Sequence, residues 1–259
     1  MRDCQRKISQ LAHWIKEAQQ ALALTGAGVS TESDIPDFRS PGGGLWEIYD
    51  PARVASVSGF LKDPEGFYKF WAARFASIER AQPNVTHQLL AELEAHGLLH
   101  GVITQNIDGL HHRAGSKRVF EVHGSCRRGI CHECRQTYPI EKVFERLQTG
   151  AVPRCEGCGG LVKPDVVLFG ELLPEDFALA AQAVTKADLL IALGSSLEVH
   201  PVANLIPRAK SSEARVVIVN REETPFDRIA DLVIHAELGP CMRELRASLA
   251  KSLSTARYI

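Results

Sequence analysis

The chain is expected to fold as an α/β protein: one large domain built on a parallel sheet with helices on both faces, interrupted by two insertions. Three observations lead there. Short apolar runs of strand length alternate with stretches whose apolar residues recur at helical spacing. Strands joined through helices pair in parallel, and their crossovers cover both sheet faces. Polar and glycine residues follow one apolar run after another, as at the ligand-bearing edge of an open sheet. Two segments, 35–82 and 126–162, break the alternation.

In chain order, Ile8, Leu11, Ala12 and Ile15 share one helical face, and Ala21-Leu22-Ala23-Leu24, ending at Thr25, reads as a buried strand. Residues 35–82 are rich in glycine, proline and aromatics, with Pro41-Gly42-Gly43-Gly44 followed by short helices around Phe60 and over Phe67–Phe75. Pro83 to His96 puts Val85, Leu89, Leu90 and Leu93 on one face, Gly97 supplies a stop, and Leu98–Thr104 is the next strand. Val119–Val122 is a short strand. Beyond the second insertion come a helix around Phe177, Ala181 and Val184, the strand Leu189–Leu193, a helix after Pro201, and strands over Arg215–Val219 and Leu232–Ile234.

The second insertion carries four of the seven cysteines as two CxxC pairs, Cys131/Cys134 and Cys155/Cys158, with twenty residues between them. That spacing fits a four-thiolate zinc site made of two tight knuckles, closed to water and therefore structural. Two disulfides or a redox pair are the lesser alternative in a chain whose other cysteines, Cys4, Cys126 and Cys241, are scattered. The segment has little apolar sequence for a core, so metal would replace burial.

Composition excludes several classes of function. The 259 residues are 45% apolar and 24% charged, and thirty basic against thirty-one acidic residues give a net charge of -1. No one-sided basic field is present to drive direct nucleic-acid or anionic-membrane binding. The first residues, Met1-Arg2-Asp3-Cys4-Gln5-Arg6-Lys7, are too polar for the apolar part of a signal peptide, and no apolar run approaches the roughly 20 residues of a membrane span. A soluble, cytoplasmic chain is expected. No surface marks a protein partner, and a monomer is the expectation.

The residues that succeed the strands are more specific. After Thr25 comes Gly26-Ala27-Gly28; after Thr104, Gln105-Asn106-Ile107-Asp108-Gly109; after Val122, His123-Gly124; after Leu193, Gly194-Ser195-Ser196; after Val219, Asn220. Glycines let a backbone approach a pyrophosphate, while hydroxyls, amides and carboxylates suit ribose and carboxamide groups. Singly each is a turn signal; together at five strand ends they outline a nucleotide site. The opening turn lacks the third glycine of G-x-G-x-x-G, and Pro36 forbids a continuous helix after it.

These residues resemble a known family. GAGVSTESDIPDFRS (26–40), TQNID (104–108), VHG (122–124), the two CxxC pairs, VVLFGE (166–171), GSSLEVHP (194–201) and the strand-ending VN (219–220) occur in the order seen in the sirtuin family of NAD-dependent protein deacylases. The resemblance implies a Rossmann-like NAD-binding domain over 1–34, 83–125 and 163–259, a cofactor loop with a helical insertion over 35–82, and a zinc-ribbon domain over 126–162. NAD would be a co-substrate and one structural zinc would sit on Cys131, Cys134, Cys155 and Cys158. Gly26, Ala27, Gly28, Ser30, Gln105, Asn106, Ile107, Asp108, Gly194, Ser195, Ser196 and Asn220 are implied NAD contacts, with Asp37, Phe38 and Arg39 on a mobile loop. His123 would be the catalytic base, assisted by Asn106 and Asp108; an imidazole titrating near neutrality can take a proton from a ribose hydroxyl. His111, His112 and His132 have no such frame and are expected to be surface or packing residues.

The implied reaction transfers the acyl group of an acyl-lysine to ADP-ribose, releasing nicotinamide and free lysine. The acyl-lysine peptide or protein would lie as an added strand between Val167-Leu168-Phe169-Gly170-Glu171 and Leu197-Glu198-Val199, with Phe38 covering the reacting centre. Mono-ADP-ribosyl transfer to protein on the same fold is the alternative. A Rossmann dehydrogenase is disfavoured because no second strand ends in an acidic residue about twenty positions after the glycine turn. A non-enzymatic zinc-ribbon module would leave five polar strand ends unused. Asp34 stands where the family commonly has glycine, and Ser195 where threonine is frequent. Family members that take acidic acyl groups carry a Tyr and an Arg three positions apart; here Trp71 is three beyond Tyr68, and Arg74 is not expected to share the pocket of Tyr68, so neutral acyls should be preferred.

Overall fold

The computed structural model describes residues 2–39, 43–149 and 151–255. Ser40, at the end of the first sirtuin-like motif, and Pro41 and Gly42 of the glycine-rich run lie outside the described residues. The strands are β1 (Ala21–Thr25), β2 (Val102–Thr104), β3 (Val119–Glu121), β4 (Gly124–Cys131), β5 (Thr137–Pro139), β6 (Val162–Val166), β7 (Leu189–Leu193), β8 (Arg215–Asn220) and β9 (Leu232–His235). The helices are α1 (Arg2–Glu17), α2 (Pro51–Val54), α3 (Val57–Lys62), α4 (Pro64–Arg80), α5 (Val85–Ala95), α6 (Leu110–Ala114), α7 (Ile140–Gln148), α8 (Glu175–Val184), α9 (Leu205–Ser211) and α10 (Leu238–Thr255).

The expected parallel sheet is present, six-stranded in the order β3-β2-β1-β7-β8-β9. Every pairing in it is parallel. Side-chain alternation explains why its strands are apolar throughout. Ala21, Ala23, Leu189, Ile191, Leu193, Val217 and Val219 face one layer, where they meet Leu11 of α1, Leu89 of α5 and Leu245 of α10. Leu22, Leu24, Leu190, Ala192, Val216 and Ile218 face the other, against Val184 of α8 and Ile206 of α9. The chain runs outward from β1 through β2 and β3 and outward again from β7, so the order reverses between β1 and β7. At such a switch point the loops after the two strands diverge and open a crevice.

Two expectations are adjusted. The apolar run Leu98–Thr104 is strand only over Val102–Thr104, because the N–H groups of Leu98 and Leu99 turn back to Leu93 O and close the end of α5. The segments 167–171 and 197–199 are loops, not strands, apart from a bridge between Ser56 and Phe169: the first bends at Gly170 (φ 97) and the second at Leu197 (φ 55). The zinc-ribbon segment has more structure than its composition promised. β5-β4-β6 form an antiparallel sheet, and α7 covers a small core of Ile140, Val143, Phe144 and Val162 with Cys131 and Cys155. Phe144 stacks on Phe75 of α4 at 3.8 Å, docking this module on the helical insertion. Among the described residues no helix is long and apolar enough to cross a membrane.

Candidate active site

At the switch point the exits of β1 and β7 touch. Gly26 N donates to Leu193 O at 3.0 Å and Gly28 N to Gly194 O at 2.9 Å. A Cβ on Gly26 would lie 2.7 Å from Gly194 O, and one on Gly28 2.9 Å from Gly194 Cα, so neither position admits a side chain without moving backbone. Gly194 itself is left-handed at φ 58. The chain after Gly28 tightens into short turns over Ala27–Val29 and Thr31–Ser33 instead of a helix, and Asp34 ends the second with φ 61. Asn84, which caps α5, reaches back to hold these turns by donating to Val29 O at 2.8 Å and Ser33 Oγ at 2.9 Å.

The exit of β2 is knitted to the same turn. Asn106 Nδ2 donates to Gly26 O at 3.0 Å and to Ser30 Oγ at 3.1 Å, and Ser30 Oγ donates to Asp108 Oδ2 at 2.7 Å. Asp108 Oδ1 accepts from Leu110 N at 2.9 Å, starting α6. Gln105 Nε2 donates to Ser195 Oγ at 2.9 Å, joining the exits of β2 and β7. His123, after β3, approaches Gln105 O through Nδ1 at 3.2 Å. A carbonyl can only accept, so Nδ1 carries the proton and Nε2 keeps its lone pair. Burial lowers the pKa of His123 from its ordinary 6.5, partly opposed by the Gln105 bond.

These groups line one cavity of about 1010 Å3, large enough for a dinucleotide together with an extended peptide side chain. It is roofed by the segment Ile35–Arg39, whose carbonyls accept from Leu45 and Trp46: Leu45 N to Asp37 O and Trp46 N to Phe38 O, both 3.0 Å. Phe38 packs on Trp46 with ring centroids 4.8 Å apart, and Arg39 pairs with Glu198 at 3.3 Å across the cleft mouth. Along the opposite edge, Val167 N donates to His123 O and Phe169 N to Ala55 O. Glu171 turns inward, where its carboxylate accepts from Leu168 N at 2.9 Å and pairs with the buried Lys163 at 3.0 Å.

The described cysteines of the second insertion form a separate cluster. The sulfurs of Cys131, Cys134, Cys155 and Cys158 all lie within 4.8 Å of one another. Cys131 and Cys158, and Cys134 and Cys155, are each 3.5 Å apart. Tetrahedral zinc with bonds of about 2.3 Å sets sulfurs about 3.8 Å apart, so the donor set fits that ion. The Tyr138 hydroxyl donates to Cys155 Sγ at 3.1 Å, the kind of outer partner that orients a metal ligand.

The Sir2 family model matches residues 26–201, from the glycine turn to the end of the peptide edge. The chain belongs to the Sir2 family. It is 45% identical over 244 residues to NAD-dependent protein deacetylase 2 of Caldanaerobacter subterraneus subsp. tengcongensis, covering 94% of this chain and 96% of the relative. It is 44% identical over 227 residues to the NAD-dependent protein deacetylase of Thermotoga maritima, covering 87% and 92%. A solved Sir2 structure with p53 peptide and NAD+ superposes with a TM-score of 0.87 at 40% identity, covering 93% of this chain and 98% of that one. Another, with deacetylated p53 peptide and 3'-O-acetyl ADP-ribose, gives 0.89 at 40% identity, covering 93% and 97%.

Within this Sir2-family cleft the structure brings together the residues singled out from the sequence. Gly26 to Ser30, Asp37 to Arg39, Gln105 to Asp108, His123, Val167 to Glu171, Gly194 to Ser196, Glu198, Val199 and Asn220 are all at or beside its wall. His111 is a core residue, hydrogen-bonded to Thr25 Oγ1 and packed on His87 with centroids 4.8 Å apart; burial holds the pKa of His111 well below its ordinary value. His132 sits against Phe60, and His112 lies 3.8 Å from Glu121. Sequence reasoning placed Arg74 only outside the pocket of Tyr68 and missed its place on the cleft wall. Tyr68 points away from the cleft, its hydroxyl donating to Val162 O, whereas Trp71 and Arg74 of α4 line it. Tyr68 and Arg74 share no pocket, as expected, but the apolar acyl pocket on which the neutral-acyl preference rests has a cation in its wall. The signal was present as the helical repeat Phe67, Trp71, Arg74 and Ile78, a charged residue on a buried face.

Proposed function

We infer that this Sir2-family chain is an NAD-dependent protein-lysine deacetylase, an enzyme that passes the acyl group of an acyl-lysine to ADP-ribose and releases nicotinamide. The observation that carries the reading is the single cleft in which the tight Gly26–Gly28 turn, the amide and carboxylate of Asn106 and Asp108, and the free Nε2 of His123 converge. Identity to curated deacetylases over most of both chains, and likeness to a structure holding deacetylated peptide beside acetylated ADP-ribose, favour acyl transfer over mono-ADP-ribosyl transfer to protein.

The turn Gly26–Gly28, held so close to Gly194 that neither glycine admits a side chain, lines the cavity with backbone and Ser30 beside it, so the residues present fit NAD. NAD supplies an electrophilic ribose carbon that releases nicotinamide and the hydroxyl that receives the acyl group. His123 takes the proton of that hydroxyl at Nε2, while Gln105 O holds its tautomer through Nδ1. Asp108 keeps lone pairs beyond those given to Ser30 and Leu110, enough to accept from a carboxamide N–H, and Asn106 fixes the turn against β2. Ile107, Gln105, Ser195, Ser196 and Asn220 shape the nucleotide wall; Asp37, Phe38 and Arg39 close it and exclude water. A peptide running between Val167–Glu171 and Glu198–Val199 lies as an added strand between these two loop edges. One zinc on Cys131, Cys134, Cys155 and Cys158 is structural, since four thiolates leave no open position. On this reading 126–162 is the zinc module, 35–82 the loop and helical insertion, and the remainder the NAD-binding domain. A four-thiolate site requires reduced cysteines, which suits the cytoplasm.

Incubation with NAD and an acetyl-lysine peptide should yield free lysine, nicotinamide and acetyl-ADP-ribose by mass analysis; a product in which the peptide gains ADP-ribose would overturn the reading. His123→Ala should lower kcat by about 10²–10⁴-fold while leaving NAD affinity by calorimetry within about twofold. The base works as neutral imidazole, and burial depresses its pKa, so the acid limb of the wild-type rate should have its half-point below the ordinary 6.5. An acid limb centred above 6.5 would remove His123 from this role.

A further inference from the structure

Arg74 is an anomaly. It is only 8% exposed, on the face of α4 that otherwise buries Phe67, Trp71 and Ile78. Its Nε is buried without a partner, and among the described residues its hydrogen bond is from Nη1 to Pro36 O at 3.2 Å. Among the described residues no carboxylate forms an ion pair with it: burial lowers its pKa, while Cys126, Asp108 and Asp37 oppose that shift through space. A guanidinium taken from water without an ion pair is unfavourable unless other contacts use its charge. Two do, and both belong to one short segment. Pro36 O receives a charge-assisted bond, and the face of Phe38 lies 4.5 Å from the guanidinium carbon.

That segment roofs the cleft and starts from Ile35, which is buried in the core beside Phe67, Trp71 and Ile78 and whose N–H donates to Ser30 O at 3.3 Å. Beyond Ile35, the backbone bonds to Asp37 O and Phe38 O come from Leu45 and Trp46, a short turn on the same excursion that packs on the edge of that core. The Arg39–Glu198 pair is well exposed and screened by solvent. Arg74, by contrast, is anchored in a packed helix, thirty-eight residues from Pro36 along the chain. We propose that Arg74 is a positioning residue that clasps the cofactor loop, holding Pro36 and Phe38 down so that the Phe38 ring is set over the reacting centre. The proposal rests on the NAD-binding reading for its catalytic consequence, but not for the clasp itself. Lysine would be a poor substitute, because only the planar guanidinium can present its face to the ring and its edge to the carbonyl together.

Arg39, in the clasped segment, offers a readout that needs no activity. Trypsin cleavage after Arg39 in the ligand-free full chain should be at least tenfold faster in Arg74→Met, with Arg74→Lys between it and the wild type. Phe38→Leu removes the ring partner without touching the helix, and should also speed cleavage severalfold. In turnover with acetyl-lysine peptide, Arg74→Met should raise KM for NAD about tenfold, equivalent to about 1.4 kcal/mol, with KM for the peptide within about twofold. Cleavage after Arg39 unchanged in Arg74→Met would overturn the clasp. Should Arg74→Met not fold, unchanged cleavage in Phe38→Leu would overturn it equally. An Arg74→Met enzyme that keeps acetyl-lysine turnover and NAD KM but loses activity on succinyl-lysine would instead make Arg74 a receptor for an acyl carboxylate. Wild-type protein without deacetylase activity would sink the functional reading and leave the proteolysis result to decide the clasp alone.

Discussion

The parallel sheet and the four-cysteine module are stabilised in opposite ways. In β1 and β7 every residue is buried, and both faces of the sheet contribute to large apolar layers. The module between Gly124 and Val166 encloses a handful of side chains, two of them cysteines of the cluster. Stability in the sheet is spread over many contacts of roughly 25 cal/mol per Å2 of buried apolar area; in the module, on the zinc reading proposed above, it would be concentrated at the four-cysteine cluster. Most of the cleft's lining hangs from the sheet's loops, and the module reaches it through Val166 and the segment that follows.

Removing the metal tests that contrast most severely. Apparent zinc binding in small four-ligand sites is worth about 10–16 kcal/mol, far more than the module's own core can replace. Chelation, or Cys155→Ala, should release one zinc per chain and abolish amide protection in β4, β5 and α7, while β1, β7 and β8 keep theirs in hydrogen exchange. Uniform loss of protection would mean that the two regions share one cooperative unit. Full protection and activity after metal loss would mean that zinc is not what holds the module.

A more modest change is expected at the joint between the regions. Lys163 of β6 is 1% exposed, donates to Val166 O at 2.7 Å and pairs with Glu171 at 3.0 Å. Burial pushes its pKa down and Glu171 opposes that shift. Glu171, expected from the sequence to contact peptide, thus fixes the bend of the peptide edge from beneath. Lys163→Met should cost about 3–5 kcal/mol in denaturant unfolding, because it strands the Glu171 carboxylate; Lys163→Met with Glu171→Leu should recover most of that. The double variant should still show a raised peptide KM, since nothing then fixes the bend at Gly170. Equal loss in single and double variants would show that the pair's charge is not what matters.

Legibility in the sequence divides along the same line. Ala21–Thr25, Leu189–Leu193 and Arg215–Asn220 could be read because fully buried parallel strands are continuous apolar runs, and the polar residues after them marked the cleft. β4 could not: Arg127 and Arg128 face outward beside a break in register between Ser125 and Gly129. α10 carries the helical repeat Leu238, Cys241, Met242, Leu245 and Leu249, but Gly239 and Pro240 punctuate its first turn as a loop would, although proline is tolerated there. Arg74 was half legible: the helical repeat of α4 puts it on a buried face, but its partners Pro36 and Phe38 meet it only through tertiary folding. Lys163 was not legible: its partners Val166 and Glu171 lie close by in the chain, but nothing in Val162-Lys163-Pro164 marks the lysine as buried.

The slightest change is expected where this chain departs from its family. Asp34 occupies the left-handed region at φ 61, the turn that sends the chain from Ser33 into the cofactor loop. The resemblance drawn from the sequence places glycine there, and the positive φ shows why a residue tolerant of that conformation is needed. Left-handed backbone costs an ordinary residue about 1–2 kcal/mol, and aspartate, whose short polar side chain bonds locally, less. Asp34→Gly removes that strain but gives the unfolded chain more freedom, a loss of about 0.4–1 kcal/mol. The two nearly cancel, so the melting temperature should move by no more than about 2–4 °C. Asp34→Val has no such compensation: its branched side chain resists the turn, and Ile35, buried beside it, transmits the distortion to Pro36. Asp34→Val should therefore lower stability by about 1–2 kcal/mol and raise KM for NAD, with Asp34→Gly close to wild type in both. If valine were accepted as readily as glycine, the left-handed turn would not be what aims the loop at the cleft.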